Sequence, residues 1–228
     1  MSKLHIRNST ELIEVENVYC IGKNYTEHIK ELDRLGHDSD IPVEPVIFLK
    51  PNTCVQSIPQ SVIIPEYKGH KISKNLQNEV ELVVVIGKDG VRIPVEETLS
   101  YVYGYAVGID FTLRDIQSEM KAKGLPWTLS KGFLTAAPVS EIVKKEDVSN
   151  PQVLKLCLKI NNEIKQQAST SEMIFRVDYI IHYISSIFGI RRGDLIFTGT
   201  PAGVTKLNSG DRVYAEIEKI GELNIIVN

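Results

Sequence analysis

The chain has 228 residues with a hydrophobic fraction of 43%, which is enough to bury one substantial core. We therefore predict a single domain over residues 1–228. Its 26 basic and 29 acidic residues give a net charge of −3. A slightly negative chain has no overall attraction to nucleic acid or to an anionic membrane, so neither is predicted as a partner. Cys20, Cys54 and Cys157 lie far apart without a C-x-x-C spacing, which argues against a disulfide framework and against a thiolate zinc site.

The N-terminal segment, residues 1–15, is polar and lacks the apolar core of a signal peptide. The apolar runs elsewhere are too short to span a bilayer. Cysteines without a disulfide pattern suit a reducing compartment. We therefore predict a soluble, cytoplasmic protein.

The first third of the chain mixes short apolar runs with one helical segment. A helix is predicted from Asn24 to Leu35, with Asn24 as its cap and Gly36 just past its end. Residues 66–78 are polar and irregular, which suits a loop near a site. Short strands are predicted at residues 17–22, 45–50 and 61–65.

Two glutamates open a strand that is predicted to be buried. Glu79 and Glu81 lead into the β-branched run at residues 82–86, which Gly87 ends. Side chains two apart on a strand point to the same face, so both carboxylates project together. Their charges repel unless a cation sits between them.

A third carboxylate, Asp110, ends a second strand-like run at residues 101–109. Three hard anionic ligands with no soft one suit Mg²⁺ or Mn²⁺ better than zinc. The alternative is a solvated strand edge that holds no metal. The buried strand after Glu81 and the position of Asp110 at the end of an apolar run favour the metal site.

The rest of the chain contains more strands than helices. A capping-box pattern, Thr112 with Asp115, predicts a helix from residue 112 to about residue 123, and a second helix is predicted at residues 177–188. Strands are predicted at residues 155–160 and 163–167, joined by an Asn161-Asn162 turn, and at residues 194–199, 212–219 and 223–227. Because helices do not follow strands regularly, we predict a mixed but mainly β fold, a roll or sandwich with peripheral helices, and neither a doubly wound sheet nor a (β/α)₈ barrel.

Several polar residues have the chemistry that a metal site needs nearby. His28 and Glu31 are three apart on one helical face, so the carboxylate can orient the imidazole; the alternative is an exposed surface pair. Lys131 and Arg114 can hold an anionic ligand, or be a surface lysine and a structural ion pair. Thr200 can donate to a ligand through its hydroxyl or its backbone N–H, or belong to a plain turn.

Five motifs occur in order along the chain. They are Cys20-Ile21-Gly22-Lys23-Asn24-Tyr25 with His28; Phe48-Leu49-Lys50-Pro51; Glu79-Val80-Glu81-Leu82; Gly108-Ile109-Asp110-Phe111-Thr112 with Arg114-Asp115; and Gly199-Thr200-Pro201 with Gly203-Val204. Together they resemble the fumarylacetoacetate hydrolase (FAH) family. The segment from Lys123 to Lys131 strengthens the likeness to its smaller members of the FAH-domain-containing protein 1 type, which are acylpyruvases and oxaloacetate decarboxylases. The match begins at about Val15.

The resemblance implies a β-sheet roll that assembles as a homodimer. It implies a metal site at Glu79, Glu81 and Asp110, in agreement with the strand argument, and we predict Mg²⁺ as the ion, with Mn²⁺ or Ca²⁺ as alternatives. The resemblance assigns His28 and Glu31 to the activation of water and Gln117 to the substrate. From their chemistry we predict a catalytic role for Lys131 and substrate contacts for Arg114, Thr200 and Lys50, with a structural role as the alternative for Lys50. The family often has His directly before the first glutamate, where this chain has Gln77-Asn78.

These residues predict metal-dependent cleavage of a C–C bond in a short, anionic 2,4-dioxo acid. Acylpyruvates or fumarylpyruvate would yield pyruvate and a carboxylic acid. The same site also fits oxaloacetate decarboxylation or tautomerisation, or isomerisation of 2-hydroxyhepta-2,4-diene-1,7-dioate. An alternative of another class is a non-catalytic, Ca²⁺-stabilised binding protein, which needs the three carboxylates but neither His28 nor Lys131.

Overall fold

The computed structural model describes residues 2–34, 40–59 and 61–228, with the backbone alone at residues 32–34. The predicted end of the first helix, at Leu35 and Gly36, lies outside the described residues. No helix in the described segments is both long and apolar enough to cross a bilayer. The single-domain organisation stays a prediction.

Most regular elements of the described chain are strands. In chain order they are β1 (Lys3–His5), β2 (Leu12–Glu14), β3 (Val18–Gly22), β4 (Val46–Lys50), β5 (Val55–Ser57), β6 (Ser61–Val62), β7 (Glu66–Tyr67), β8 (His70–Lys71), β9 (Leu76–Gln77), β10 (Val80–Ile86), β11 (Val102–Ile109), β12 (Thr112–Leu113), β13 (Ala137–Val139), β14 (Val143–Lys144), β15 (Lys155–Ile160), β16 (Glu163–Ser169), β17 (Leu195–Phe197), β18 (Arg212–Ile217) and β19 (Gly221–Val227).

The helices are shorter and lie between the strands. They are α1 (Thr26–Arg34), α2 (Arg114–Ala122), α3 (Thr128–Lys131) and α4 (Val177–Ile187), with 3₁₀ turns at Asn52–Cys54, Val95–Tyr101, Lys145–Asp147 and Thr170–Glu172. Helix α4 ends where predicted, because Gly189 adopts a left-handed backbone with φ of 71°.

Two sheets form the body of the fold. The larger has the strand order β4-β3-β17-β10-β11-β13-β5, with β14 also paired to β11, and the smaller has the order β16-β15-β18-β19-β6. They pack together where β10 and β11 meet β15, β18 and β19. This arrangement confirms the predicted fold class, a mainly β roll with peripheral helices.

Strand β10 lies at the centre of the larger sheet. It pairs antiparallel with β11 on one side and with β17 on the other, and all seven of its residues are buried. A fully buried Val, Leu or Ile contributes about 1.5–3 kcal/mol each to the free energy of unfolding. The apolar run from which this strand was predicted therefore anchors the core, and its N-terminal end is rigidly placed.

The predicted capping box at the start of α2 is wrong. Thr112 belongs to β12, which pairs with β9, and its hydroxyl donates to the Asp110 carbonyl instead of capping the helix. Asp115 accepts hydrogen bonds from Ser73 and from the backbone N–H of Lys74. The loop over residues 66–78, predicted to be irregular, is therefore tied to α2 and contains three short strands.

Asn24 also departs from its predicted role as the cap of α1. Its side-chain amide is fully buried, donates to the carbonyls of Phe175 and Thr198, and accepts from the Phe175 N–H. Helix α1 begins at Thr26, so Asn24 lies one residue before the cap position, and its amide serves distant backbone groups instead. Asn24 instead fixes the start of α1 against the end of β17.

The hairpin of β15 and β16 is confirmed. Its turn residues, Asn161 and Asn162, both have positive φ, of 51° and 69°. This backbone is typical of a type I′ turn, which matches the twist of the paired strands and which asparagine tolerates well. The strand predicted at residues 61–65 is shorter than expected, because only Ser61–Val62 pairs, with β19.

Candidate metal centre and catalytic cleft

Seven of the predicted site residues line one cleft at the end of the central strands: His28, Glu79, Glu81, Arg114, Gln117, Lys131 and Thr200. The other three predicted residues, Glu31, Lys50 and Asp110, contact members of this lining. The tertiary structure thus brings together residues that are spread over more than 170 positions of the chain.

The three predicted metal ligands form a compact, buried group. Glu79 and Glu81 alternate at the start of β10, and the Asp110 N–H donates to the Glu79 carbonyl at 2.8 Å, which puts Asp110 directly across from Glu79 on the paired strand. Residues at opposite positions of an antiparallel pair share a face. Each of the three carboxylates offers an oxygen within 4.8 Å of the others.

The electrostatics of Glu79 and Glu81 differ. Burial raises the pKa of Glu79, but ion pairs with Lys131 and Arg114 outweigh it and hold that pKa well below the usual range. Glu81 accepts a hydrogen bond from the Gly199 N–H at 2.6 Å and forms no ion pair in the described chain, although the charge of Lys131 acts on it from a greater distance. Burial, then the charges of Asp110 and Glu79, raise the pKa of Glu81 far above its usual range.

A divalent cation fits this group. Burying an ionised carboxylate beside two others costs free energy unless a cation binds to it, and Glu81 has no ion-pair partner in the described chain. The donors are all carboxylate oxygens, which hard cations such as Mg²⁺ and Mn²⁺ prefer. The geometry therefore suggests a divalent-metal site, and it leaves the identity of the ion open.

Two lysines support Asp110 from opposite sides. Lys131 Nζ lies 2.7 Å from both Glu79 Oε2 and Asp110 Oδ2. Lys50 Nζ lies 2.7 Å from Asp110 Oδ1 and donates to the carbonyls of Lys131 and Ala136. The Lys50 side chain is fully buried and is absent from the cleft lining. Of the two roles considered for Lys50, this placement favours the structural one.

The predicted pair of His28 and Glu31 is present. His28 Nδ1 lies 3.1 Å from Glu31 Oε2, and Glu31 also accepts from the Gly203 N–H at 3.0 Å. Burial raises the pKa of Glu31, but the hydrogen bonds from His28 and from the Gly203 N–H outweigh it and lower that pKa. Because Glu31 engages Nδ1, the Nε2 atom of His28 is left for a ligand in the cleft.

Arg114 is held by three neighbours. Its Nε donates to Gln77 at 2.6 Å, and its two terminal nitrogens donate to Gln117 and Glu79. Gln77 thereby orients the guanidinium. Arg114 has five N–H donors and uses three of them in these contacts, so two remain for an anionic ligand.

Thr200 is connected to a residue that sequence reasoning missed. Its hydroxyl donates to the Val80 carbonyl and accepts from Gln166, both at 2.8 Å. Only the backbone N–H of Thr200 is therefore left to meet a ligand. Gln166 also accepts from Asn78 and from the Val80 N–H and donates to the Pro201 carbonyl.

Nothing in the sequence singles out Gln166. It lies beside Gln167 in a polar strand, and only the packing of β16 against the larger sheet buries it completely. Its four hydrogen bonds reach residues 34 to 88 positions away.

Comparison with known proteins agrees with this geometry. The sequence model of the fumarylacetoacetate (FAA) hydrolase C-terminal family matches residues 17–228 of this chain. The chain belongs to the FAH family. The members of this family are enzymes that act on small organic acids, so the chain is an FAH-family enzyme. The family resemblance noted from its motifs is confirmed.

Two curated relatives are oxaloacetate tautomerases. The mitochondrial oxaloacetate tautomerase FAHD1 of Mus musculus is 44% identical over 205 residues, which cover 90% of this chain and 88% of the mouse protein. The FAHD1 protein of Arabidopsis thaliana is 40% identical over 210 residues, with coverage of 92% and 90%. Both names contain the word mitochondrial, and a cytoplasmic location for this FAH-family chain stays a prediction.

Solved FAH-family structures share the fold. Fumarylpyruvate hydrolase from Pseudomonas aeruginosa, solved with Mn²⁺ and pyruvate, has a TM-score of 0.91 and 34% identity and covers 99% of this chain and 95% of its own. 2-Hydroxyhepta-2,4-diene-1,7-dioate isomerase from Mycobacterium marinum has a TM-score of 0.79 and 35% identity, with coverage of 94% and 75%.

Proposed function

We propose that the chain is a divalent-metal-dependent hydrolase that cleaves a C–C bond in short 2,4-dioxo acids, such as acylpyruvates or fumarylpyruvate. The observation that carries the proposal is the His28–Glu31 pair in the same cleft as three buried carboxylates. A general base beside a Lewis-acid site is the combination that water attack on a carbonyl needs. The Mn²⁺- and pyruvate-containing structure of fumarylpyruvate hydrolase supports the same reading.

Glu79, Glu81 and Asp110 are proposed to hold the ion, with Mg²⁺ as the preferred choice. When bound, the ion would supply Lewis-acid stabilisation of negative charge that develops on the substrate. Lys131 uses two of its three N–H donors on Glu79 and Asp110, so the third can meet a substrate oxygen. Its charge offsets the repulsion between the two carboxylates and would stabilise negative charge that develops nearby.

The proton transfers are assigned to His28. Its Nε2 takes a proton from water, and the resulting hydroxide attacks C4 of the dioxo acid. The C3–C4 bond breaks, its electron pair goes to C3 as the enolate of pyruvate, and C4 leaves as the carboxylic acid. His28 returns the proton to C3, so atoms and charge balance. Glu31, anchored by the Gly203 N–H, keeps the imidazole in the orientation that this transfer needs.

Arg114, Gln117 and the Thr200 N–H are proposed to hold the carboxylate end of the substrate. Arg114 keeps two free donors and Gln117 keeps its amide NH₂, because its oxygen accepts from Arg114. We propose that Lys50 is a positioning residue for Asp110 instead of a substrate contact, because all of its contacts are with protein oxygens.

Oxaloacetate tautomerisation or decarboxylation is the second candidate, favoured by the names of the curated relatives from Mus musculus and Arabidopsis thaliana. In the tautomerase reaction, His28 would take a proton from C3 of oxaloacetate and return it to the oxygen on C2, and no water would attack. Loss of CO₂ gives the same pyruvate enolate without a water nucleophile. Isomerisation of 2-hydroxyhepta-2,4-diene-1,7-dioate, the activity in the name of one structural neighbour, likewise needs proton transfer alone.

An activity assay separates these reactions. Purified protein with Mg²⁺ is given acetylpyruvate, keto-oxaloacetate or enol-oxaloacetate, and the loss of dioxo acid, the release of CO₂ and the keto–enol ratio are followed. Hydrolysis predicts pyruvate and acetate in equal amounts from acetylpyruvate. If oxaloacetate is converted while acylpyruvates are inert, the hydrolase proposal is wrong and the second candidate replaces it.

The His28→Ala variant tests the enzyme class itself. Removal of a general base lowers kcat by about 10²- to 10⁴-fold, while the three carboxylates should still bind the ion. A non-catalytic, Ca²⁺-stabilised binding protein predicts no turnover in the wild type and no effect of the substitution beyond a lost surface contact. Metal-dependent melting of both proteins serves as the control for folding.

A homodimer is also proposed, as the resemblance implied. An apolar groove lined by Val46, Phe48, Leu125, Trp127 and Phe188 adjoins the cleft, which shares Phe48 and Trp127 with it. Phe188 is 54% exposed. A second copy that covers this groove would remove large apolar surface from water. Light scattering should give about twice the 25.6 kDa of one chain, and Phe188→Asp should shift it to the monomer.

A further inference from the structure

Helix α2 carries more than one cation toward the cleft. Arg114, Gln117 and Lys121 are three and four residues apart, so they lie on one face of the helix, and all three line the cleft. Arg114 and Gln117 are buried, whereas Lys121 is half-buried. Seven residues of helix place Lys121 about 10 Å along the axis from Arg114.

Lys121 is a cation among cations. Burial, and then the charges of Arg114, Lys131 and Lys23, lower its pKa. Its Nζ lies 4.9 Å from the ring centroid of Trp127, and no carboxylate of the described chain lies within ion-pair distance of it. Among the described residues, this half-buried ammonium has no adjacent carboxylate to offset its desolvation, and only the more distant Glu79 acts on it.

Lys123, directly after the end of α2, is an ordinary surface lysine for comparison. Its side chain is 58% exposed and its Nζ lies 2.6 Å from Glu119. Only Ala122 separates Lys121 from Lys123, yet Lys121 lines the cleft with no ion pair to a described carboxylate, whereas Lys123 is solvated and paired. The orientation of Lys121 therefore calls for an anion supplied by the ligand.

The charge balance of the cleft points the same way. The three carboxylates of Glu79, Glu81 and Asp110 are equal in number to the cations Lys50, Lys131 and Arg114, which pair with Glu79 and Asp110. A divalent ion and Lys121 add positive charge to this balanced set. A dianionic substrate offsets more of that charge than a monoanion does.

We propose that Lys121 binds the second carboxylate of a dicarboxylic 2-oxo acid and thereby makes the enzyme prefer dicarboxylates to monocarboxylates. This inference rests on the proposed function, since it takes the first carboxylate to lie near Arg114 and Lys131. Trp127 supports the ammonium from one side through a cation–π contact. Lys121 is a specificity-determining residue in this proposal and takes no part in the bond-breaking step.

The test compares two ligands of the same five-carbon chain. 2-Oxoglutarate carries a second carboxylate where 2-oxopentanoate ends in a methyl group. Trp127 is the single tryptophan of the chain and adjoins Lys121, so its fluorescence reports binding in a titration with Mg²⁺ present. Isothermal titration calorimetry gives the same constants without relying on the ring.

We expect wild-type protein to bind 2-oxoglutarate more tightly than 2-oxopentanoate. Lys121→Gln should weaken 2-oxoglutarate binding about tenfold, the size expected for one charge-assisted hydrogen bond, and leave 2-oxopentanoate within twofold. Lys121→Arg should restore much of the loss. The matched control, Lys123→Gln, should change neither ligand.

The proposal is overturned if the wild type does not discriminate between the two ligands, or if Lys121→Gln weakens both equally or neither. Turnover is measured separately on acetylpyruvate and oxaloacetate. If neither is converted but the binding pattern holds, the proposed reaction is wrong and the carboxylate subsite stands. If turnover is normal and the binding pattern is absent, the reaction stands and the subsite is wrong.

Discussion

The side-chain amide of Gln166 donates to the Thr200 hydroxyl at 2.8 Å and thereby joins the smaller sheet to the segment that closes the cleft. The same amide group serves Asn78 and the backbone of Val80 and Pro201. Gln166 thus connects both sides of the first metal-ligand candidate, Glu79, to the proposed substrate-binding turn. A fully satisfied buried amide of this kind orders several segments at once.

Gln166→Leu should reduce the free energy of unfolding by about 2–4 kcal/mol, because it leaves several buried polar groups without partners. Chemical denaturation followed by circular dichroism measures this loss. The control is Gln167→Leu, which changes the exposed neighbour on the same strand and should shift the unfolding free energy by less than about 0.5 kcal/mol. Equal effects of the two substitutions would contradict the connecting role of Gln166.

Divalent ions should stabilise the protein through Glu81. At a free Mg²⁺ or Mn²⁺ concentration one hundred times Kd, mass action adds about 2.7 kcal/mol, which raises Tm by roughly 5–10 °C for a chain of this size. Glu81→Gln should abolish most of this rise. It should also keep or increase Tm without metal, since it replaces a buried acid, whose charged form is disfavoured by burial and by Asp110 and Glu79, with a neutral amide of the same shape.

Glu97→Gln is the control for that measurement. Glu97 is exposed in the 3₁₀ turn Val95–Tyr101, so its variant should keep the full metal-dependent rise in Tm. A wild-type Tm that is the same with chelator, Mg²⁺, Mn²⁺ and Ca²⁺ would rule out the metal site. A response to Zn²⁺ alone would contradict the preference argued from the all-oxygen donor set.

The contact between Glu31 and His28 predicts a pH-dependent contribution to stability. The pKa of Glu31 is lowered from its usual 4.5 in the folded chain. An acid with a lowered folded-state pKa contributes stability above its unfolded pKa and loses it as the pH falls through the folded value. The gap in unfolding free energy between wild type and Glu31→Gln should therefore be constant at pH 6–7 and shrink below about pH 4.5.

Glu27→Gln is the matched control, since Glu27 lies on the exposed face of the same helix and pairs with Lys30 at 2.6 Å. Its gap to the wild type should be small at every pH. Glu31→Gln should also lower kcat by at least about tenfold through the loss of His28 orientation, whereas Glu27→Gln should not. A gap that widens on acidification would contradict the sign of the argument.

Gly203 is required by the backbone that holds Glu31. Its φ is +103°, and a Cβ at this position would lie 1.8 Å from the Lys165 carbonyl oxygen. Gly203→Ala should therefore cost more than about 2 kcal/mol of unfolding free energy and should lower turnover, because the N–H that anchors Glu31 moves. Thermal and chemical denaturation measure the first effect, and a steady-state assay measures the second.

Gly210→Ala separates the clash from the backbone strain. Gly210 also has a positive φ, of +89°, but nothing lies within 4 Å of the added Cβ. The free energy of unfolding of Gly210→Ala should fall only by the strain of a left-handed backbone, about 1 kcal/mol, and its turnover should be unchanged. If the two variants are equally stable and equally active, the close approach of Lys165 is not a constraint.

Sequence reasoning succeeded where the signal was local. The buried strand after Glu81, the strand before Asp110 and the Asn161-Asn162 turn all follow from alternation, β-branching or turn chemistry within a few residues. The prediction at Thr112 was wrong, because the local pattern favoured a helix cap whereas the residue pairs in β12 with β9. Asn24 failed for the same reason, since Phe175 and Thr198 use its amide.

By itself, the sequence determined the mainly β character of the chain, its membership of the FAH family and the grouping of Glu79 with Glu81, because strand alternation places residues i and i+2 on one face whatever surrounds them. Only the tertiary structure decided that Gln166 supports Thr200, that Lys50 lies behind Asp110 and that Lys121 faces the cleft with no acidic partner among the described residues. These relations join residues that are far apart in the chain or depend on which side of a helix is covered. Such contacts arise when the sheets pack, and the sequence around each residue has no periodicity that reveals them.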